Sequence, residues 1–413
     1  MKMLKTNQLI PPRLLFLSPR QCWPARSGAK LREYHFVRSL AQHSDLTYLH
    51  FTDPGSPLLT RSELPFCREV MGILKPPSYG AWNLWNGIWG RWPLTVLNYS
   101  SAEMTYAVER LCKDPGYDVI HVDSIHMIRY AEVAVRHSGP DTRIIYNWHN
   151  IESEALFRYS AAVRSLPRRW YATLTASKLA KLEQEILKSA FGHVVCSERE
   201  REELRKLAPS SHIAVVENGV DTETFLQAEA SGANKLVFVG LMDYYPNIEA
   251  ATSFVQRIWP QIRERLPGLS LWIVGANPAP SVLELAHFPG VTVTGTVPDV
   301  RPYYRDALAA IVPLRTGGGT RLKILEAMAM TVPVISTPLG AEGLAVTPGE
   351  NILFAEPDDA AAWARNLVSL AESEGERKRL SQAALELVRT RYDWGFLGRK
   401  LWETYEGWLQ GKA

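Results

Sequence analysis

The chain has 413 residues, 46% hydrophobic and 22% charged, which excludes a disordered or collagen-like polymer and, at about 150 residues per domain, points to two large domains. No apolar run approaches the roughly 18 residues of a membrane-spanning helix or has the form of a secretory signal, and Cys22, Cys67, Cys112 and Cys196 lack the spacing of a zinc site or disulfide framework, which fits a reducing cytoplasm. The net charge of +3 hides an asymmetry, because residues 1–206 carry 28 Lys and Arg against 20 Asp and Glu and the remainder 18 against 23; a basic half suits anionic lipid, a phosphorylated acceptor or nucleic acid.

Along the chain, Arg13–Ser18 reads as a buried strand, followed by a loop with Pro19, Pro24 and Gly28. The spacing predicts a helix over 29–41, with Leu31, Tyr34, Val37, Arg38 and Leu40 on its helical repeat. Further strands are expected at Leu46–Phe51, Asp118–Val122, Arg143–Tyr146 and His193–Cys196, with a helix over Ala172–Lys188. After a polar stretch at Gln227–Asn234 the pattern restarts. Strands are expected at Leu236–Gly240, Leu271–Gly275, Val291–Thr294, Ala309–Pro313, Val332–Ser336 and Ile352–Phe354, with an amphipathic helix over Ile248–Leu266. Strands alternating with helices imply parallel sheets covered on both faces, so the expected fold class is α/β with two doubly wound domains. Ligands of such sheets collect at strand ends such as Gly240 and Gly275.

The densest segment runs from Pro313 to Met330. Gly317, Gly318 and Gly319 make a turn, Thr320 is placed to cap a helix, and Arg321 and Lys323 lie in its first turn. Positive residues there oppose the helix dipole, so an anion such as a phosphate explains them. Glu326, three residues beyond Lys323, suits a ribose diol; the same spacing also fits a surface ion pair on a core-facing helix.

The segment 318–329, with Val332 to Thr337 and Gly340 to Leu344, resembles the donor-binding signature of family 4 glycosyltransferases, in particular bacterial sugar transferases of exopolysaccharide systems. The resemblance extends to Asn218–Asp221, Phe238–Gly240, Tyr245–Asn247, Ile273–Gly275, Val293–Asp299 and Asp118–His121. It implies a GT-B fold, two Rossmann-like doubly wound domains facing a cleft: an acceptor-side domain over 1–212 with a helix over 394–413 packing back on it, and a nucleotide-sugar domain over 213–393. It also implies a cytoplasmic, metal-independent hexosyltransferase that retains anomeric configuration. Its donor would be a nucleotide-diphosphate sugar, and its acceptor a glycan or lipid-linked polysaccharide precursor. No cofactor is expected, nor a nucleic acid partner.

On that resemblance the donor would be held by Gly28, Asn218, Gly240, Val297, Gly317, Gly318, Gly319, Thr320, Arg321, Lys323 and Glu326. Asp123 and His149 would be catalytic, and His126, Asn150 and Glu152 acceptor-side. Family members commonly carry two glutamates eight positions apart; Glu326 matches the second, whereas the first position is Gly318. Many relatives also place Arg and Lys after the Phe-Val-Gly strand, where this chain reads Leu241 to Asn247, so Arg321 and Lys323 are assigned the phosphate clamp. These departures keep open a degenerate assembly subunit, and a nucleotide-sugar epimerase is the rival enzyme on the same fold. Finally, Trp82, Trp85, Trp89 and Trp92 are spaced 3, 4 and 3 apart, near Lys75 and Arg91. The stripe fits a core face or a peripheral contact with the membrane interface.

Overall fold

The computed structural model describes residues 11–25, 27–113, 116–163, 165–225, 234–317 and 321–411. The chain divides into two units, the first comprising 1–217 and 398–413 and the second 218–397.

The first unit is built on seven parallel strands: β1 (Arg13–Ser18), β2 (Asp45–Thr52), β3 (Glu69–Leu74), β4 (Val119–Asp123), β5 (Arg143–Asn147), β6 (Gly192–Val195) and β7 (His212–Val215), in the order β3-β2-β1-β4-β5-β6-β7. Its helices are α1 (Gly28–Ala41), α2 (Ala81–Trp89), α3 (Leu94–Leu97), α4 (Ala102–Cys112), α5 (Ile128–His137), α6 (Glu152–Ala162), α7 (Leu166–Ser189) and α8 (Glu198–Leu207). The strand order reverses between β1 and β4. Connections therefore leave to opposite sides there and open a crevice at the carboxyl ends of Ser18 and Asp123.

Two elements depart from the sequence reading. β3 and β7 were not anticipated, and β7 explains why the division falls after Glu217 instead of residue 212: His212–Val215 pairs with β6 as the last strand of the first sheet. Both are edge strands; β7 has only four residues, and β3 has an interior glycine, Gly72, packed against Thr52 and His50. In α1, Arg38 is exposed, and the buried positions are Arg32, Glu33, His35, Phe36, Val37 and Leu40. The helix thus buries an arginine and a glutamate toward the sheet, where a purely structural helix would bury apolar side chains.

The second unit carries β8 (Lys235–Val239), β9 (Ser270–Val274), β10 (Val291–Val293), β11 (Ala307–Val312), β12 (Val334–Ser336) and β13 (Leu353–Phe354), all parallel, in the order β10-β9-β8-β11-β12-β13. Its helices are α9 (Tyr245–Ser253), α10 (Trp259–Arg265), α11 (Pro280–Leu283), α12 (Arg301–Tyr304), α13 (Leu322–Ala329), α14 (Ala360–Glu372) and α15 (Glu374–Leu387). The one helix expected over 248–266 is α9 and α10 joined by a π-type turn, Phe254–Ile258, just before Pro260. Proline lacks the N–H that an α-helical ladder requires, and the wider turn absorbs the mismatch. The core centres on Trp259, whose Nε1 donates to the Pro289 carbonyl at 2.9 Å, and on Trp363, edge-on to Phe254 at 5.1 Å.

The last helix, α16 (Trp394–Leu409), begins in the second unit and ends in the first. In the first unit its Tyr405 hydroxyl meets His121 Nδ1 on β4, and Trp408 covers Gly192 on β6 so closely that a Cβ there would lie 2.7 Å from the indole.

The strand order of the second sheet reverses between β8 and β11; Gly240 follows β8 at that switch point, and Gly275 follows the neighbouring β9. A Cβ on Gly275 would lie 1.7 Å from the Gly240 carbonyl oxygen, so no larger residue fits without moving a strand. Gly275→Ala is expected to destabilise the second unit by about 2 kcal/mol or more, read as a fall in thermal midpoint. Gly268→Ala, with nothing within 4 Å of the added methyl, is expected to leave the midpoint nearly unchanged.

Candidate functional site

In the first unit the β4–β5 register pairs Asp123 with Asn147 at the carboxyl ends of both strands. Asp123 is wholly buried. Its Oδ1 accepts from Asn147 Nδ2 at 2.6 Å, and its Oδ2 lies 2.9 Å from His149 Nε2. Burial alone would raise the Asp123 carboxyl, yet the neighbouring His149, the hydrogen bonds of His121 and His149, and the Arg20 charge hold it well below the usual carboxylate range. An ionised Asp123 accepts from His149 Nε2 and so fixes the orientation of the imidazole ring. Ser124, the next residue, has φ +90°, a strained conformation for a side-chain-bearing residue and one that concentrates at functional turns.

Sequence reading missed the support beneath this pair. Arg32 on α1 donates from Nη2 to Asn147 Oδ1 at 2.9 Å and from Nη1 to the carbonyls of Val216 and Glu217 at 2.7 and 3.1 Å. Its neighbour Glu33, also buried, bonds the Tyr48 hydroxyl. Burial and then the Asp123 charge push Glu33 up to about 8, against the pull of Arg20. The signal available in the sequence was the Arg-Glu pair at core-facing positions of an amphipathic helix.

The acceptor-side residues separate. Asn150 is exposed and Glu152, half-buried, opens α6; with Ser124, Asn147 and His149 they border one small hollow. Burial raises the Glu152 carboxyl, offset by His149 and Arg20. His126 is not among the residues lining that hollow: it stacks on Tyr99 at 4.6 Å, and burial, then the Arg20 and Lys75 charges, push its imidazole down to about 4. Gly28 opens α1 behind Ser27, whose side chain accepts from Lys30 N at 3.5 Å.

In the second unit, Gly240, Lys323 and Glu326 come together at the switch point. A Cβ on Gly240 would lie 2.8 Å from Lys323 Nζ and 2.7 Å from Asn247 Nδ2, so the missing side chain makes room for both. Lys323 donates to Asn247 Oδ1 at 2.8 Å and sits 4.6 Å over the Phe238 ring. Asn247 in turn donates to the Leu241 carbonyl at 2.8 Å. The surface ion pair that the spacing also allowed is replaced by this half-buried contact with Asn247. Burial, then the Arg321 charge, push the Lys323 ammonium down to about 7. Glu326 is pushed up to about 7 by burial, against Lys323 and Tyr304, whose hydroxyl lies 3.5 Å from its Oε2.

Arg321 occupies the N-cap position of α13 and donates from Nη2 to the carbonyls of Gly317 and Leu339 at 3.0 and 3.3 Å. It therefore shapes the turn through Gly317, which has φ +106°. Gly318, Gly319 and Thr320 lie outside the described residues. Val297 is half-buried against the second core, and Asn218 opens the second unit.

Residues 76–224 match the family model Glycosyltransferase Family 4, and residues 233–373 match the model Glycosyl transferases group 1. An uncharacterized 44.6 kDa protein in the cps region of Klebsiella pneumoniae is 23% identical over 167 residues, 38% of this chain and 42% of that protein. The curated relatives are matched over 42% to 56% of their own length. Sucrose-phosphate synthase from Thermosynechococcus elongatus superposes with a TM-score of 0.69 at 18% identity, over 97% of this chain and 100% of that one. Anabaena Alr3699/HepE in complex with UDP-glucose superposes with a TM-score of 0.63 at 13% identity, over 95% and 99%. With two parallel sheets that each reverse strand order at a switch point and a family model on each half, the chain belongs to the group 1 and family 4 glycosyltransferases with the GT-B fold.

Proposed function

We propose that this protein transfers a sugar from a nucleotide-diphosphate donor to a glycan or lipid-linked polysaccharide precursor, with retention of anomeric configuration and without a metal. The observation that carries the donor assignment is the cluster of half-buried Lys323 and Glu326 with buried Asn247 around the side-chain-free Gly240. A lysine ammonium in a desolvated recess stabilises the charge that develops on a departing diphosphate. A carboxylate one helical turn away accepts from a ribose diol. Arg321 holds the Gly317 carbonyl beside the start of α13.

In the reaction the bond between the sugar C1 and the diphosphate oxygen breaks, and the bond from C1 to the acceptor oxygen forms on the same face. The acceptor proton passes to the departing phosphate oxygen. Asp123 orients His149, whose ring then meets a substrate hydroxyl. HepE has been solved with UDP-glucose, so uracil is the first base to try.

A thermal-shift panel of UDP, GDP, ADP and their sugars tests the donor site. At about 100 times its dissociation constant the right nucleotide contributes about 2.7 kcal/mol of stability, and Glu326→Ala is expected to abolish that shift. Donor consumption without acceptor would favour an epimerase, and nucleotide binding without turnover an assembly subunit.

The ammonium of Lys323, poised at about 7, loses its charge as pH rises through neutrality. With Glu326→Gln in place to remove the opposing titration of that carboxyl, nucleoside diphosphate affinity is therefore expected to fall from about pH 6 to about pH 8, as measured by calorimetry. Lys323→Arg, charged throughout, is expected to flatten that decline; an unchanged slope would remove Lys323 from the diphosphate.

His149→Ala is expected to lower kcat by about 10² to 10⁴ while the dissociation constant for the nucleotide stays within about twofold. An equal loss in nucleotide affinity would instead make His149 a binding residue.

A further inference from the structure

The first unit bears an apolar surface that neither its core nor the proposed chemistry uses. Trp82, Trp85 and Trp89, at helical positions i, i+3 and i+7 of α2, are 75%, 60% and 74% exposed. The helix carries no charged residue. Its exposure is not that of a loose helix. Gly87 on the other side is buried so tightly that a Cβ would lie 2.4 Å from the Tyr171 hydroxyl of α7, which donates to the Leu84 carbonyl at 3.3 Å. Lys178 of α7 donates to the carbonyls of Gly87, Ile88 and Gly90 at 2.6, 2.8 and 2.7 Å, satisfying the end of α2. Three indoles are thus held outward by a fixed backbone.

The contacts lay α2 alongside α7, with the start of α7 beside the start of α2. There Leu166 and Trp170 are 76% and 57% exposed, and Arg168 and Arg169 between them are exposed. Neither arginine has a carboxylate within 4 Å among the described residues. The cations expected from the sequence to serve this stripe are otherwise engaged: Arg91 pairs with Glu132 and Glu185, and Lys75 with Asp53. Trp92 packs on the first core beneath the Arg91 guanidinium and does not belong to the surface.

We infer that α2 and the first turn of α7 form a docking surface for an anionic lipid bilayer, with Trp82, Trp85, Trp89 and Trp170 in the headgroup region and Arg168 and Arg169 against lipid phosphates. Indole, apolar in body with one N–H, is the side chain that partitions to that depth. Exposed guanidiniums free of carboxylates complement anionic headgroups. The positive balance of residues 1–206 carries the same sign. The inference extends the transferase reading toward a lipid-linked acceptor, but bilayer binding is measured without turnover and stands or falls by itself.

The test is flotation of the full chain with phosphatidylcholine vesicles, either pure or with about 30 mol% phosphatidylglycerol. The protein is expected to float with the mixed vesicles and at least about fivefold less with the neutral ones. The triple replacement Trp82→Ser, Trp85→Ser and Trp89→Ser is expected to cut the bound fraction at least about tenfold, and Arg168→Glu with Arg169→Glu to erase the preference for anionic vesicles. Thermal midpoint and nucleotide-induced shift are followed in parallel, and both should match the wild type in the two variants. If the tryptophan variant unfolds, the arginine variant decides. Failure of the wild type to float, flotation undiminished in a folded tryptophan variant, or an anionic preference surviving the arginine replacements would overturn the proposal. Binding to a protein partner through the same tryptophans, with no flotation, would count against it as well.

Discussion

One guanidinium holds the first unit's candidate site in place. Arg32, wholly buried, spans from α1 to the Asn147 amide oxygen at the end of β5 and to the Val216 and Glu217 carbonyls just beyond β7. A buried charge left without partners costs several kcal/mol, so the positions of all three segments are coupled to this one side chain. Asn147, with its oxygen occupied by Arg32, must turn its amide N–H toward Asp123, and Asp123 then has one oxygen left for His149. The orientation of the imidazole is thus decided three hydrogen bonds away. The Arg32 side chain also lies 4.2 Å over the Phe36 ring, which restrains its remaining freedom.

The second unit reaches a similar end by a different route. Its constraint is the absence of side chains: Gly240 and Gly275 let two strand ends approach, and the space above Gly240 is filled by an ammonium and an amide. Lys323 and Glu326 share a desolvated recess in which each is displaced toward neutrality, upward for the acid and downward for the base. Neither charge state is locked in. An arriving anion and diol would each favour the ionised partner, so ligand binding and proton uptake or release are coupled at this point.

Most of the sheet was legible because buried parallel strands are continuous apolar runs ending in glycine or a polar residue, as at Leu236–Gly240 and Leu271–Gly275. β3 and β7 escaped because edge strands need less apolar surface, and the α9–α10 break was hidden because a π-type turn keeps helical periodicity nearly intact. In the site, Lys323, Glu326 and Gly240 were legible through contiguous motifs. Arg32 and Asn147 are 115 positions apart, and a contact of that separation has no local spacing to read. The tryptophan stripe was readable as helical, but only packing separates Trp92, in the core, from the three exposed rings.

The path of α16 has a consequence for how the molecule is made. Tyr405 and Trp408 cover β4 and β6 of a sheet whose other strands were synthesised before residue 216, so the second unit is an insertion within the first. At ordinary elongation rates of about 5 to 20 residues per second, the ribosome spends about ten seconds or more on that insertion while the patch of β4 and β6 beneath α16 waits without its cover. His121, whose Nδ1 meets the Tyr405 hydroxyl in the finished molecule, lacks that partner throughout the interval. Domain-by-domain folding from the amino terminus is therefore incomplete here by construction: the second unit closes its core first, and the earlier unit closes last.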